Sequence, residues 1–193
     1  MPPRADVHAD RGGSREGSGV GAGEGAGERD GGNKGGIFGN EGRPKAVPVI
    51  TWCENGKAYS GDNLGKLWVW EQEGTYTKAI KTMKLHEGFI SALKVVDGVL
   101  YSGAKDGKVN CIDLGSMSVT NTVDFGSQII RAVDSFGGKM IVGQRDGTIT
   151  IEESGSKRDI MKSHHEGEVW GLDQCADGTV VTSADDNKVM MWD

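Results

Sequence analysis

The chain has 193 residues, with 22 Lys and Arg against 28 Asp and Glu and a formal net charge of −6. Nucleic acid and anionic lipid are both gripped by clustered Lys and Arg, so an acidic chain is a poor match for either. No apolar run approaches the roughly 18 residues needed to cross a bilayer, and the opening MPPRADVHADRGG lacks the apolar stretch of a secretory signal, which together predict a cytoplasmic protein.

Residues 1–46 are rich in glycine, and the run GSGVGAGEGAGERDGG has almost no side chain whose burial could offset the entropy of ordering it. This segment is expected to be a disordered tail. Its Arg and Lys residues are balanced by Asp and Glu, so the acidity belongs to the rest of the chain. Glycines such as Gly19 and Gly21 do not make a phosphate loop, because no strand precedes them and no helix follows.

From Val47 onward, short β-prone runs alternate with turn pairs. The first unit reads VPVITWCENGKAYSGDNLGKLWVWE, and Thr75 to Met83 after it suits a solvent-facing fourth strand. The second is LHEGFISALKVVDGVLYSGAKDGKVNCID and the third SQIIRAVDSFGGKMIVGQRDGTITIEE. The last runs from His164 to Asp193, with strands predicted at Glu168–Leu172, Thr179–Ser183 and Lys188–Trp192. A first turn recurs as Asn55-Gly56, Asp97-Gly98, Gly137-Gly138 and Asp177-Gly178, its second residues separated by 42, 40 and 40 positions. A second turn, Leu64-Gly65, Asp106-Gly107, Asp146-Gly147 and Asp186-Asn187, keeps the same spacing. Asp-Gly suits a two-residue hairpin whose central positions both need positive φ.

A period of about 40 to 45 residues with four short strands per unit is the signature of a WD-repeat propeller blade. The fold class is therefore all-β: a partial WD-repeat β-propeller of about four blades, the last without its outer strand. The repeats fall at about 47–84, 85–124, 125–163 and 164–193, following the tail. In WD repeats a His, a Ser or Thr, an Asp and a Trp form one buried hydrogen-bonded set. Here the last unit supplies His165, Thr182, Asp186 and Trp192, and the second supplies His86, Ser102 and Asp106, with Ile112 at the Trp position. The third has Glu152 there and no His at its start, so these repeats are degenerate. A network of this kind fixes blade geometry when every member is satisfied.

Other constellations compete for the same residues. His164, His165 and Glu166 suggest a metal site only superficially, since consecutive residues on an extended chain point to opposite faces and no second cluster supplies ligands. Joining Thr182 or Ser183 with His165 and Asp186 into a hydrolytic triad reuses residues that already have a structural place. No catalytic residue, metal or cofactor is assigned. Cys53, Cys111 and Cys175 are odd in number and lack CxxC spacing, and they read as buried free thiols.

Propellers bind through loops at one end of the ring. Phe89, Lys105, Arg131, Arg145, Trp170 and Asp185 fall at such loops and include the Trp and Arg types that dominate interface energetics, which makes them the partner-binding candidates.

HHEGEVWGL followed by DDNKVMMWD, preceded by IIRAVDSFGGKMIVGQRDGTITIEE, resembles the echinoderm microtubule-associated protein-like family. LHEGFISALKV followed by LYSGAKDGKV is similar to the repeat before it in that family. The resemblance covers about residues 47 to 193. It implies a cytoskeletal, non-enzymatic protein whose propeller binds tubulin or microtubules, although the chain has neither a heptad segment nor a net basic region. The alternative expectation is a general WD-repeat scaffold without tubulin affinity, because two acidic surfaces repel. Four repeats are few for a closed ring, so the chain is expected to be completed by further blades or to self-associate through its open flanks.

Overall fold

A computed structural model describes residues 49–52, 56–73, 76–161, 165–175 and 177–192. The expected tail, Cys53, Asn55 and His164 lie outside these residues. Among the described residues all regular structure is antiparallel β-strand, in four sheets. The first sheet has β1 (Val49–Trp52), β2 (Lys57–Gly61), β3 (Lys66–Glu73) and β4 (Tyr76–Lys84) in sequence order. The second repeats this order with β5 (Ile90–Val96), β6 (Val99–Ala104), β7 (Lys108–Asp113) and β8 (Ser118–Asp124). The third has β9 (Ile130–Phe136), β10 (Lys139–Gln144), β11 (Ile149–Glu153) and β12 (Ser156–Met161). The fourth has β13 (Val169–Gln174), β14 (Val180–Ala184) and β15 (Val189–Trp192).

Turn chemistry sets these meanders. Asp97 and Gly98 both have positive φ, 48° and 78°, between the paired residues Val96 and Val99. Gly137 and Gly138, at 56° and 80°, sit likewise between Phe136 and Lys139. These are the two-residue hairpins that the sequence predicts. The second turn departs from that expectation, since only its last residue, Gly65, Gly107, Gly147 or Asn187, has positive φ. The Asp side chain takes over part of the turn: Asp106 Oδ1 accepts from the Lys108 amide at 3.2 Å, and Asp186 Oδ1 from that of Lys188 at 3.0 Å. Asp177-Gly178 also departs, with Gly178 alone at positive φ and Asp177 Oδ1 accepting from Thr179 N.

The sheets stack face to face through their first strands, with β1 beside β5, β5 beside β9 and β9 beside β13. Each junction has its own apolar core. Tyr59, Leu67 and Val69 of the first sheet meet Ile90, Leu100 and Ile112 of the second. Val109 and Cys111 then meet Ile130, Val133, Met140 and Val142. Ile141, Ile149 and Ile151 meet Val169 and Val180. At the start of β5, β9 and β13 a branched side chain sits against a glycine of the preceding sheet. A Cβ on Gly61 would lie 2.5 Å from Ile90, one on Gly103 2.5 Å from Ile130, and one on Gly143 2.7 Å from Val169.

Across the inner strands, Lys94 Nζ lies 3.2 Å from Asp134 and 2.7 Å from Asp173, joining three sheets. Burial opposes the Lys94 charge, but the two carboxylates outweigh it and raise its pKa. Burial pushes the Asp134 carboxyl up, whereas hydrogen bonding from Lys94 holds that of Asp173 down. Cys111 is buried, and burial pushes its thiol up to about 11. Cys175 is exposed, contrary to the sequence reading, because it sits past the end of β13, where its amide bonds to the Thr179 carbonyl in a surface turn.

The four sheets leave the ring open, and on the last sheet Val189 and Met191 are 71% and 72% exposed. Exposed apolar strand edges favour association. Size-exclusion chromatography over a concentration series should show self-association that the paired change Val189→Lys and Met191→Lys suppresses; a compact wild-type monomer at all concentrations would contradict this. At an interior junction, Gly103→Ala should cost about 1–3 kcal/mol by overpacking. In urea unfolding, Gly103→Ala and Ile130→Ala together should cost less than the sum of their separate costs, because alanine removes the Ile130 methyl that the new Cβ would strike.

Candidate protein-interaction surface

The first strand of a sheet begins at the same end as the turn joining its second and third strands, and backbone hydrogen bonds tie the two. Lys105 N donates to Phe89 O, Arg145 N to Ile129 O and Asp185 N to Glu168 O, at 3.0, 3.0 and 3.2 Å. Phe89, Ile129 and Glu168 are therefore equivalent, as are Lys105, Arg145 and Asp185.

Just inside this end β5, β9 and β13 each carry a bulge. Ile90 and Ala92 pair with Ala104 and Gly103, leaving Ser91 as the extra residue. Arg131 is the extra residue between Ile130 and Ala132, and Trp170 between Val169 and Gly171. A bulge re-aims its side chain out of the regular alternation, so three successive sheets present Ser91, Arg131 and Trp170 around one open cavity of about 250 Å³.

Arg131 is the hub. Its guanidinium carbon lies 4.4 Å from the centroid of the Trp170 ring and 5.6 Å from that of Phe89. Its Nε pairs with Glu168 Oε2, while Glu168 Oε1 takes Arg145 Nε at 3.0 Å. The Trp170 indole donates to Asp185 Oδ1 at 2.6 Å, and Asp185 Oδ2 also accepts from Glu168 N. The indole is thus fixed at one edge and covered by a cation, yet Trp170 remains 53% exposed. Of the six residues singled out in the sequence, Phe89, Arg131, Arg145, Trp170 and Asp185 share this cluster. Lys105 stands beside it, its side chain lying along Gly88. Glu168 was not singled out, although it links both arginines; its repeat offset, matching Phe89, was the available signal.

Below this end lie the buried polar groups. The Trp192 indole donates to Thr182 Oγ1 at 3.0 Å, and that hydroxyl lies 2.8 Å from His165 Nε2. His165 Nδ1 is 3.0 Å from Asp186 Oδ2. The Asp186 carboxylate only accepts, so Nδ1–H donates to it, and in the neutral imidazole Nε2 then accepts from the Thr182 hydroxyl, which itself accepts from the indole. In the second sheet His86 Nδ1 is 3.1 Å from Asp106, and Nε2 is 3.0 Å from Ser102 Oγ. Asn110 completes this set, donating to Leu85 O at 2.8 Å and lying 3.2 Å from His86 Nε2. In the first sheet Trp68 donates to Asp62 and Trp70 to Ser60. In the third, Gln144 bonds Phe125 O and Thr150. Among the described residues no group of three or more His, Cys, Asp or Glu side chains is arranged to hold a metal.

The family model for "WD domain, G-beta repeat" matches residues 155–193. The chain is 39% identical over 159 residues to the "Ciliary WD repeat-containing protein ctxp80" of Euplotoides octocarinatus, covering 81% of this chain and 22% of that protein. It is 30% identical over 164 residues to human "Echinoderm microtubule-associated protein-like 1", covering 81% and 20%. Among solved structures, the WD40 beta propeller domain of Doa1 superposes with a TM-score of 0.66 at 20% identity, covering 80% of this chain and 53% of that one. This chain is a WD-repeat propeller segment, similar to the echinoderm microtubule-associated protein-like family. The segment spans about a fifth of the length of these two curated relatives.

Burial lowers the pKa of His86 from its ordinary 6.5, outweighing the opposing pull of Asp106. The unfolded chain therefore binds the proton more readily than the folded one. Stability from this residue is fully present above about pH 6.5 and is lost as pH falls below it. Urea midpoints measured between pH 7.5 and 5.5 should decline, and His86→Gln should flatten that decline while lowering stability throughout.

Proposed function

We propose that this WD-repeat interaction module is non-enzymatic and meets its partner through the surface centred on Trp170 and Arg131, with Phe89, Lys105, Arg145 and Asp185 around them. The observation that carries this is the half-exposed indole held between Arg131 and Asp185. A large aromatic already fixed in place loses little conformational freedom on binding, and Trp and Arg are the side chains most often found at energetic hot spots. The polar groups of His165, Thr182, Asp186 and Trp192, like those of His86, Ser102 and Asp106, are spent on one another and serve the blade rather than a reaction.

The partner in this reading is tubulin in the polymerised state, with the chain placed on the cytoskeleton in the cytoplasm. Support comes from the relatives named as microtubule-associated proteins, 30% identical over four-fifths of this chain. A second reading, a scaffold for other proteins without tubulin affinity, is favoured by the net charge of −6, which opposes encounter with an acidic partner. Neither reading involves nucleic acid or membrane.

Co-pelleting with polymerised tubulin separates them. The first reading expects the chain to pellet, and Trp170→Ala to weaken pelleting roughly thirtyfold, as loss of a hot spot of about 2 kcal/mol does, while the urea midpoint stays near wild type. No pelleting by the wild type at low or high salt favours the scaffold. Undiminished pelleting by Trp170→Ala places the contact elsewhere on the molecule.

A further inference from the structure

The outer edges of the sheets differ in charge. β4, β8 and β12 are the last strands of the first three sheets and, among the described residues, pair on one side only. Each therefore has a row of free backbone N–H and C=O groups on its other side. Opposite Glu71, Val69 and Lys66, β4 carries Lys78, Lys81 and Lys84. At the matching register, opposite Asp113, Cys111 and Lys108, β8 carries Ser118, Asn121 and Asp124. β12 has Ser156 opposite Glu153 and Arg158 opposite Ile151. β4 thus holds three lysines and no acid, in a chain whose net charge is −6.

The fold does not require this charge, since β8 takes the same place in its sheet with Ser118 and Asn121. All three lysines are exposed. Lys81 Nζ is 3.4 Å from Met117 O, and Lys84 Nζ donates to Leu64 O at 2.7 Å and lies 3.5 Å from the exposed Glu87. Lys66 and Lys84 face each other directly across the ladder, where like charges are unfavourable, whereas the second sheet sets Lys108 against Asp124 there. Lysine on a strand edge opposes pairing with a like edge, a second copy of β4 included. The same charges favour a strand of opposite sign. Lys78 and Lys81 share one face, as their partners Glu71 and Val69 do, because Ile80 is the extra residue of a bulge between them. Ile80 is 44% exposed and offers an apolar contact beside the two ammoniums.

We infer that the outer edge of β4 docks an extended acidic segment of a partner protein. Side chains of an extended segment alternate between its two faces, so a carboxylate at every second residue meets Lys78 and Lys81 while the backbone pairs with the free edge. The edge belongs to the outer strand of the first sheet, whereas Trp170 stands on the inner strand of the fourth. The two surfaces are separate, and this inference does not rest on the one proposed at Trp170. It gives a chain of negative net charge a local means of holding an acidic partner.

A fluorescein-labelled peptide alternating Glu with Thr, added to the whole chain and followed by fluorescence anisotropy, tests this. It should bind, and bind less tightly as salt rises. Lys78→Glu with Lys81→Glu should weaken binding roughly tenfold, and Trp170→Ala should leave it unchanged. Adding Ser118→Lys and Asn121→Lys to the charge-reversed chain should recover binding at β8, a gain that misfolding does not mimic. Absence of binding to the wild type at low salt, undiminished binding after charge reversal, or no recovery with the β8 lysines would overturn the inference. Equal binding by the peptide N-methylated at alternate amides, in both of its two alternation registers, would overturn the strand pairing. Displacement by a single-stranded oligodeoxynucleotide more readily than by unlabelled peptide would overturn the choice of a protein partner.

Discussion

Seating a branched side chain directly on a glycine of the neighbouring sheet is the contact on which the architecture depends. Ile90, Ile130 and Val169 are each fully buried, and each lies where a Cβ on Gly61, Gly103 or Gly143 would overlap it. The missing side chain lets the inner strand approach the backbone of the preceding sheet, and the apolar residues on either side then close into a continuous core. Packing at this density tolerates neither a void nor an added methyl. The same contact governs the surface. Ser91, Arg131 and Trp170 are the very next residues, so the buried anchor fixes the point from which each bulge leaves the ladder. The cation–π geometry at Trp170 is set by two such anchors, Ile130 and Val169, on neighbouring sheets.

The buried polar groups meet one requirement in four ways. Three sheets place a buried polar side chain at the same register beneath the second turn, Ser60, Ser102 and Thr182, whereas the third has Val142 there and carries Gln144 at the end of β10. Each needs partners, because an unsatisfied buried group costs about 1–3 kcal/mol. His165, Asp186 and Trp192 supply them in the last sheet, whereas His86, Asp106 and Asn110 do so in the second. The first sheet uses two tryptophans, stacked at 5.9 Å between ring centroids. The third manages with Gln144 and Thr150. Satisfaction of the groups, rather than any one residue set, is what the sheets have in common, and this explains how degenerate repeats share one backbone.

The period of 40 to 42 residues was plain in the sequence, because a residue able to take positive φ, Gly or Asn, recurs at each turn, although only Asp97-Gly98 and Gly137-Gly138 take it at both positions. The four-sheet arrangement followed from it. The bulges were not legible: a bulge is a count of two residues against one, and it exists only once the partner strand and its register are known. Glu168 was passed over for a similar reason, since its importance comes from Arg131 and Arg145 on another sheet. Cys175 was read as buried because a small apolar side chain near a strand usually is, but the strand ends at Gln174 and the turn carries it outward. Val189 and Met191 show the converse. They belong to the continuous apolar run from Val189 to Trp192, and such a run is silent on whether anything covers either face of the strand.

Charge at the Trp170 surface bears on how a partner could be held there. Arg131 and Glu168 keep only 12% and 18% of their side-chain surface in contact with solvent, so most of their desolvation has already occurred within the chain. A docking protein would not have to strip water from these charges, nor would it gain much from their field at a distance, since Glu168 is shared between both guanidiniums. Long-range steering would instead reflect the net charge of −6, which slows encounter with an acidic surface. Binding through this surface would therefore depend on the time a partner stays once it covers the indole. The exposed aromatic and its fixed neighbours act on the dissociation rate, the quantity in which related interfaces differ most.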